Sequence, residues 1–229
     1  MQNSPKIFII IPAWNEEKNI ANILSSLIKQ YENIIVIDDG SNDKTIEIAK
    51  QFPVTILSHI INRGQGASLQ TGNEYAISNG ADIIVHFDGD GQFLIDEIND
   101  LINPIINEGY DIVFGSRFMG KESKIPWIKK NILFKIGKIV NKIFFSIKTT
   151  DPQSGFRAMT RSTAKKIKIE HDQMAHCSEI LHKSFKNKLK IKEIPMTVIY
   201  NKFGQSFSGG AIIIKDLIIK KILDRKSVV

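Results

Sequence analysis

Five short runs dense in isoleucine and valine recur through the first half of the chain: KIFIII (6–11), NIIVID (33–38), VTILSH (54–59), DIIVHFD (82–88) and DIVFGS (111–116). Each is nearly continuous in apolar character instead of alternating, as strands buried on both faces are. Between them lie EEKNIANILSSLIKQ, DKTIEIAKQ, GASLQTGNEYAIS and LIDEINDLINPIIN, with apolar residues spaced three and four apart. This alternation predicts an α/β fold, a mostly parallel, doubly wound sheet with flanking helices. Ligands of such sheets collect beyond the carboxyl ends of the strands. The residues that matter chemically are therefore PAWNEE (12–17), DDGSND (38–43), NRGQG (62–66), DGDGQ (88–92) and SRF (116–118), all on one rim.

The second half reads differently. PWIKKNILFKIGKIVNKIFFSIK (126–148) has the pattern of an amphipathic helix or helix pair. DPQSGFRAM (151–159) opens with turn residues and leads into a short strand. A helix follows near 173–188, then a strand in LKIKEIPMTVIYN (189–201) and a last amphipathic helix in GGAIIIKDLIIKKILDRK (209–226). At 229 residues a single domain is expected, with an α/β half over 1–117 and an amphipathic half over 118–229.

Charge divides along the same line. Residues 1–117 carry 7 Lys/Arg against 16 Asp/Glu, a net of −9; residues 118–229 carry 24 against 8, a net of +16, which together give the overall +7. An acidic half bound through a cation and a basic half meeting an anionic partner would account for the split. The basic half is assigned to phosphate and a membrane surface, not to nucleic acid. Cys177 stands alone, so no disulfide forms within the chain and a reducing, cytoplasmic setting is expected. No run approaches the ~18 apolar residues of a membrane span, so the association expected is peripheral, at the cytoplasmic face or through a separate membrane protein.

Asp88 and Asp90 end an apolar run one residue apart, although like charges so placed repel. Carboxylate oxygens in such a pair suit Mg²⁺ or Mn²⁺, which keep positions for water and substrate phosphate. Gln92 offers a third oxygen, and Gly89 and Gly91 let the backbone bend closely. No G-x-x-x-x-G-K-[ST] is present, and the first strand is followed by PAWNEE with no glycine, which excludes a P-loop and a dinucleotide fingerprint. The histidines show no H-x-x-x-H spacing; His59 and His86 fall in strands and His171, His176 and His182 in or near a polar helix, and no metal role is expected of them.

In order along the chain, IIPAWNEEKNI, VIDDGSNDKT, NRGQGAS, DGDGQF, FGSRF, DPQSGFRAM and EIPMTVIYNKFGQS resemble the motifs of inverting GT-A glycosyltransferases, and within them the dolichyl- and polyprenyl-phosphate sugar transferases. The resemblance covers roughly residues 6–210. It implies a GT-A fold and transfer of a hexose from a nucleotide sugar, GDP-mannose or UDP-glucose, to a polyprenyl phosphate. It further implies that residues 1–117 are the nucleotide-sugar half and 118–229 the acceptor half, that Pro12, Trp14 and Glu16 bracket the nucleoside with Asp39, and after it Asp38, on the base or ribose, that Asp88, Asp90 and Gln92 form the metal and diphosphate site, and that Arg117 meets the acceptor phosphate. Lys129 or Lys130 and Lys202 are implied as further acceptor-side cations. Three positions depart from the family: Trp14 replaces a usual Tyr, Gln65 a frequent Lys, and Lys129/Lys130 and Lys202 a usual Arg, which keeps the charge but loses the bidentate fork.

A phosphate monoester needs no strong base, its second pKa lying near ~6. A sugar hydroxyl would need one, and Asp151 is the candidate, its other reading being a turn acid ahead of Pro152. Catalytic roles are thus expected of Asp90, Arg117 and Asp151. Arg157 is either a phosphate contact or a structural partner of Asp151. The alternatives are a transferase acting on a sugar or polysaccharide hydroxyl and a non-catalytic protein binding nucleotide or anionic lipid.

Overall fold

The structure, a computed structural model, describes residues 4–119 and 149–199. The amphipathic segments 126–148 and 209–226, with Lys129, Lys130 and Lys202, lie outside the described residues.

Seven strands form one sheet: β1 (Ile7–Ala13), β2 (Asn33–Asp38), β3 (Thr55–Ser58), β4 (Ile83–His86), β5 (Ile112–Ser116), β6 (Arg157–Thr160) and β7 (Ile191–Pro195). Their order is β3-β2-β1-β4-β6-β5-β7. The pairs β1–β2, β1–β4, β2–β3 and β5–β7 are parallel. All five apolar runs of the first half are strands, within one or two residues of their expected limits. The departure from the parallel expectation is β6, which inserts between β4 and β5 and runs antiparallel to both.

Continuous apolar strands are explained by two cores. On β1, Ile9 and Ile11 face α1 (Ile20–Leu27) and α4 (Ile98–Glu108), whereas Phe8 and Ile10 face α3 (Gln65–Ser78) and the later helices. Helix α1 buries Ile20, Ile23, Leu24 and Leu27, a single stripe at helical spacing. α2 (Thr45–Ala49) is short, and a 3₁₀ turn at Ile95–Glu97 precedes α4. The second face is completed by α5 (Arg161–Lys166), which the sequence reading did not anticipate, and α6 (His176–Lys186), which it placed at 173–188.

Two features aim this framework at the carboxyl rim. Phe93 stacks on Phe156 with centroids 4.8 Å apart, and Phe87 meets both edge-on, so an aromatic wedge supports the turn at 88–92. The segment after β7 returns to that turn: Ile199 donates its N–H to the Gln92 carbonyl at 2.9 Å, and Thr197 bonds both oxygens of Glu97 at 2.8 and 2.9 Å.

Helix α3 lies close on β1 because Gly72 has no side chain. A Cβ there would stand 2.4 Å from Cγ2 of the fully buried Ile10. Gly72→Ala should therefore lower stability by about 1–3 kcal/mol through overpacking, despite alanine's better helix propensity. Chemical denaturation of the variant beside its parent checks this.

Candidate active site at the carboxyl rim

The loops after β1 and β2 are stitched together. Asn15, at φ 57°, donates its backbone N–H to Ser41 Oγ at 2.9 Å, and its side-chain oxygen accepts the Asn42 N–H at 2.9 Å. Glu16 donates its N–H to Thr45 Oγ1 at 2.8 Å. This sets Pro12 at the strand end, leaves Trp14 54% exposed, and turns Glu16 toward the carboxylates that follow β4. Asp38 and Asp39 lie buried between these loops.

The two acids do different work. Asp39 accepts backbone N–H groups from Arg63 at 3.0 Å and Gly64 at 2.6 Å and meets His59 Nδ1 at 2.7 Å, so it holds the loop that leads into α3. Asp38 accepts one N–H, from Ser41 at 3.3 Å, and its Oδ1 is buried with no partner. Of the pair, Asp38 carries the oxygen still able to accept a hydrogen from a ligand.

Asp88 and Asp90 stand half-buried just beyond β4. Gly89 allows it: a Cβ there would lie 2.9 Å from the Pro12 carbonyl. Gly155 is equally confined, its missing Cβ leaving room for Asp88 Oδ2. Gln65 donates its amide to Asp88 Oδ1 at 2.6 Å, and Gln92 donates its backbone N–H and amide to Asp90 at 3.0 and 2.6 Å. Gln92 thus braces a carboxylate of the pair through its nitrogen. Among the described residues neither aspartate has a Lys or Arg at ion-pair distance. Burial, then the neighbouring Asp90, push the Asp88 carboxyl up to about 7; burial also raises Asp90 and Glu16, with Asp90 adding to the latter.

No group of three or more His, Cys, Asp or Glu side chains closes around a metal among the described residues. The pair nevertheless fits a hard divalent cation: two acidic oxygen ligands, held at the rim with no Lys or Arg at ion-pair distance among the described residues, and with the remaining positions open to water and diphosphate.

On the other side of the rim, Arg117 grips Asp151 with Nε on Oδ2 and Nη2 on Oδ1, each 2.6 Å, and its backbone N–H reaches Oδ2 at 3.1 Å. The Asp151 side chain is 1% exposed. Asp151 is therefore neither a free base nor a simple turn acid, but the partner that sets the plane of the Arg117 guanidinium.

Arg157 is a correction. It is 0% exposed, in register with His86 on β4, with Nε on the Gly155 carbonyl at 3.2 Å and Nη2 on Cys177 Sγ at 3.3 Å. It presents no surface to an acceptor phosphate and does not pair with Asp151; it is interior positive charge behind Asp88. Two further groups escaped the sequence reading. His176 is not on a polar face but fully buried, with Nε2 3.3 Å from Cys177 Sγ. Burial pushes the Cys177 thiol up, yet His176 and Arg157 outweigh it and bring the thiol down to about 6. Glu193 on β7 receives Thr149, Thr150 and Asp151. Its only sequence signal was an acid beside Lys192 in the short strand IKEIP.

A family model described as Glycosyl transferase family 2 matches residues 8–168. A UDP-N-acetylglucosamine–dolichyl-phosphate N-acetylglucosaminyltransferase of Methanococcus voltae is 37% identical over 223 residues, covering 87% of this chain and 88% of its own. A polyprenol monophosphomannose synthase of Mycolicibacterium smegmatis is 26% identical over 90% of this chain and 82% of its own. Among solved structures, the glucosyl-3-phosphoglycerate synthase of Mycobacterium tuberculosis, crystallised with Mn²⁺, UDP-glucose and phosphoglyceric acid, superposes with TM-score 0.70 at 18% identity. That match covers 94% of this chain and 78% of the other, a likeness of GT-A fold.

The raised Asp88 pKa has a definite sign. From the ordinary carboxylate range up to about 7, the folded protein retains a proton that the unfolded chain has released. Stability from this group is complete at acid pH and is lost as pH rises through 7. In EDTA, Asp88→Asn should melt about 3 °C or more above its parent at pH 8 and level with it near pH 4. Thermal unfolding at both pH values tests it.

Proposed function

The chain belongs to glycosyl transferase family 2, and from that premise we propose that it transfers a hexose from a nucleoside-diphosphate sugar to a polyprenyl phosphate, with inversion at the anomeric carbon. A phosphate oxygen of the acceptor attacks that carbon as the bond to the donor diphosphate breaks.

The state of Asp151 carries the choice of acceptor. Both its oxygens are engaged by Arg117, and with its side chain 1% exposed it does not reach out to a substrate hydroxyl. The acceptor side thus presents an oriented guanidinium where a hydroxyl acceptor would need an open carboxylate. An ionised phosphate monoester suits that arrangement. The dolichyl phosphate and polyprenol phosphate in the relatives' names support the same reading.

On the donor side, the exposed Trp14 ring offers a face to the nucleoside and Asp38 its unpartnered buried oxygen. Gln65 and Gln92 hold Asp88 and Asp90 in place for Mg²⁺ or Mn²⁺. When bound there, the ion supplies neutralisation of the charge that builds on the departing diphosphate. The Mn²⁺ in the mycobacterial structure supports a metal for this fold. The donor sugar is taken from UDP-N-acetylglucosamine, GDP-mannose or UDP-glucose, the first being the one named for the Methanococcus relative. A lipid-linked acceptor would place the enzyme at the cytoplasmic face of a membrane, peripherally or beside a membrane protein; among the described residues no helix is long and apolar enough to cross one.

The test is transfer of labelled sugar from each of the three donors to dolichyl phosphate, with Mn²⁺ or Mg²⁺ and with EDTA. Label in the organic phase with one donor, abolished by EDTA, is the expected result; Asp90→Ala should cost on the order of 10²–10³ in kcat. Label appearing only on a soluble sugar would overturn the lipid acceptor. A separate reading comes from Asp151→Asn: a raised KM for dolichyl phosphate with kcat within about tenfold is expected, whereas a general base would cost about 10²–10⁴ in kcat.

A further inference from the structure

We infer that Glu193 is a positioning residue for Arg117, acting through the three-residue loop Thr149–Thr150–Asp151, and so sets the site for the acceptor phosphate. The inference rests on the reading of Arg117 as the acceptor-side cation.

Glu193 lies on the edge strand β7, opposite Phe114 of β5. Its carboxylate collects the whole loop. Thr150 donates its N–H to both oxygens at 3.1 and 3.0 Å, and Asp151 donates its N–H at 3.3 Å. The hydroxyls of Thr149 and Thr150 add bonds at 2.5 and 3.1 Å. The neighbouring Lys192 is turned the other way, onto Glu108 at 2.6 Å. Glu193 therefore has its oxygens satisfied by loop donors, and consecutive backbone N–H groups on one carboxylate fix the loop's conformation.

The loop hands that geometry on. Thr150 Oγ1 meets Ser116 Oγ at 2.7 Å, and the next residue, Asp151, takes the Nε/Nη2 edge and the backbone N–H of Arg117. Arg117 comes off the end of β5 and Glu193 sits on its neighbour β7, so two strands of one rigid sheet clamp the arginine from both sides. Without the clamp, a long side chain rich in rotamers would be ordered by the acceptor itself. Pre-ordering moves that cost out of acceptor binding.

Glu193→Gln removes the anion that accepts two backbone N–H groups while keeping size. With the purified full chain, two readouts are taken: hydrogen exchange across residues 115–119, and initial rates with dolichyl phosphate and donor varied in turn. Faster exchange at 115–119, together with an acceptor KM raised about tenfold and a donor KM unchanged, is expected. The effect should not add to that of Arg117→Ala. Unchanged exchange at 115–119 would overturn the inference whatever the kinetics. So would full additivity with Arg117→Ala. Faster exchange with acceptor KM unchanged in both Glu193→Gln and Arg117→Ala would show the clamp but remove Arg117 from the acceptor, overturning the reading beneath the inference. Should Glu193→Gln fold poorly, Thr150→Val, which deletes the hydroxyl shared by Glu193 and Ser116, is read by the same outcomes.

Discussion

Two half-buried carboxylates in one turn, with no cation at ion-pair distance among the described residues, set the terms for everything around them. Holding Asp88 beside Asp90 is unfavourable, and burial makes it worse, which is why Asp88 is pushed up to about 7. The surrounding structure bears that strain through parts that do not cancel the charge. Two glutamine amides orient the oxygens, Gly89 and Gly155 let the backbone approach, and three phenylalanine rings wedge the turn from below. Under the proposed function a site built this way would be stabilised by a cation that arrives with its substrate.

Polarity across the rim follows. One side gathers Glu16, Asp38, Asp88 and Asp90, while the other places Arg117 on the buried carboxylate of Asp151. Under the proposed function an anionic donor would enter the acidic side through a metal, and an anionic acceptor would meet Arg117 opposite. Behind the acidic side, Arg157, His176 and Cys177 form a second buried group. Arg157 and His176 oppose the rise in the Asp88 pKa and Cys177 reinforces it, so this cluster holds the balance of charge behind the ligand.

The sheet was legible because strands buried on both faces leave uninterrupted Ile/Val runs, and β1 shows the reason directly: Ile9 and Ile11 serve one core, Phe8 and Ile10 the other. The antiparallel β6 was not, since four residues cannot reveal their direction by composition. Site residues divide similarly. Asp88 and Asp90 are recognisable because their chemistry is local, two acids in one turn. The roles of Asp39, Arg157 and Glu193 depend on residues 20 or more positions away in the chain, or on depth within the fold, neither of which a spacing pattern records. Neighbouring aspartates therefore looked interchangeable until one proved to hold a loop and the other to keep an open oxygen.

Gln65 shows how one substitution tunes the whole arrangement. Its amide reaches Asp88 Oδ1 at 2.6 Å, at a position where the resembled family frequently carries lysine. An ammonium there would pair with Asp88, hold its carboxyl down and stand in for part of a metal's charge. An amide gives the same orientation without the charge. Asp88 then keeps its repulsion from Asp90, and under the proposed function the positive charge for a donor diphosphate would come from an ion held by the two aspartates. In this chain the amide would thereby leave to that ion a share of the work that a lysine would do within the protein.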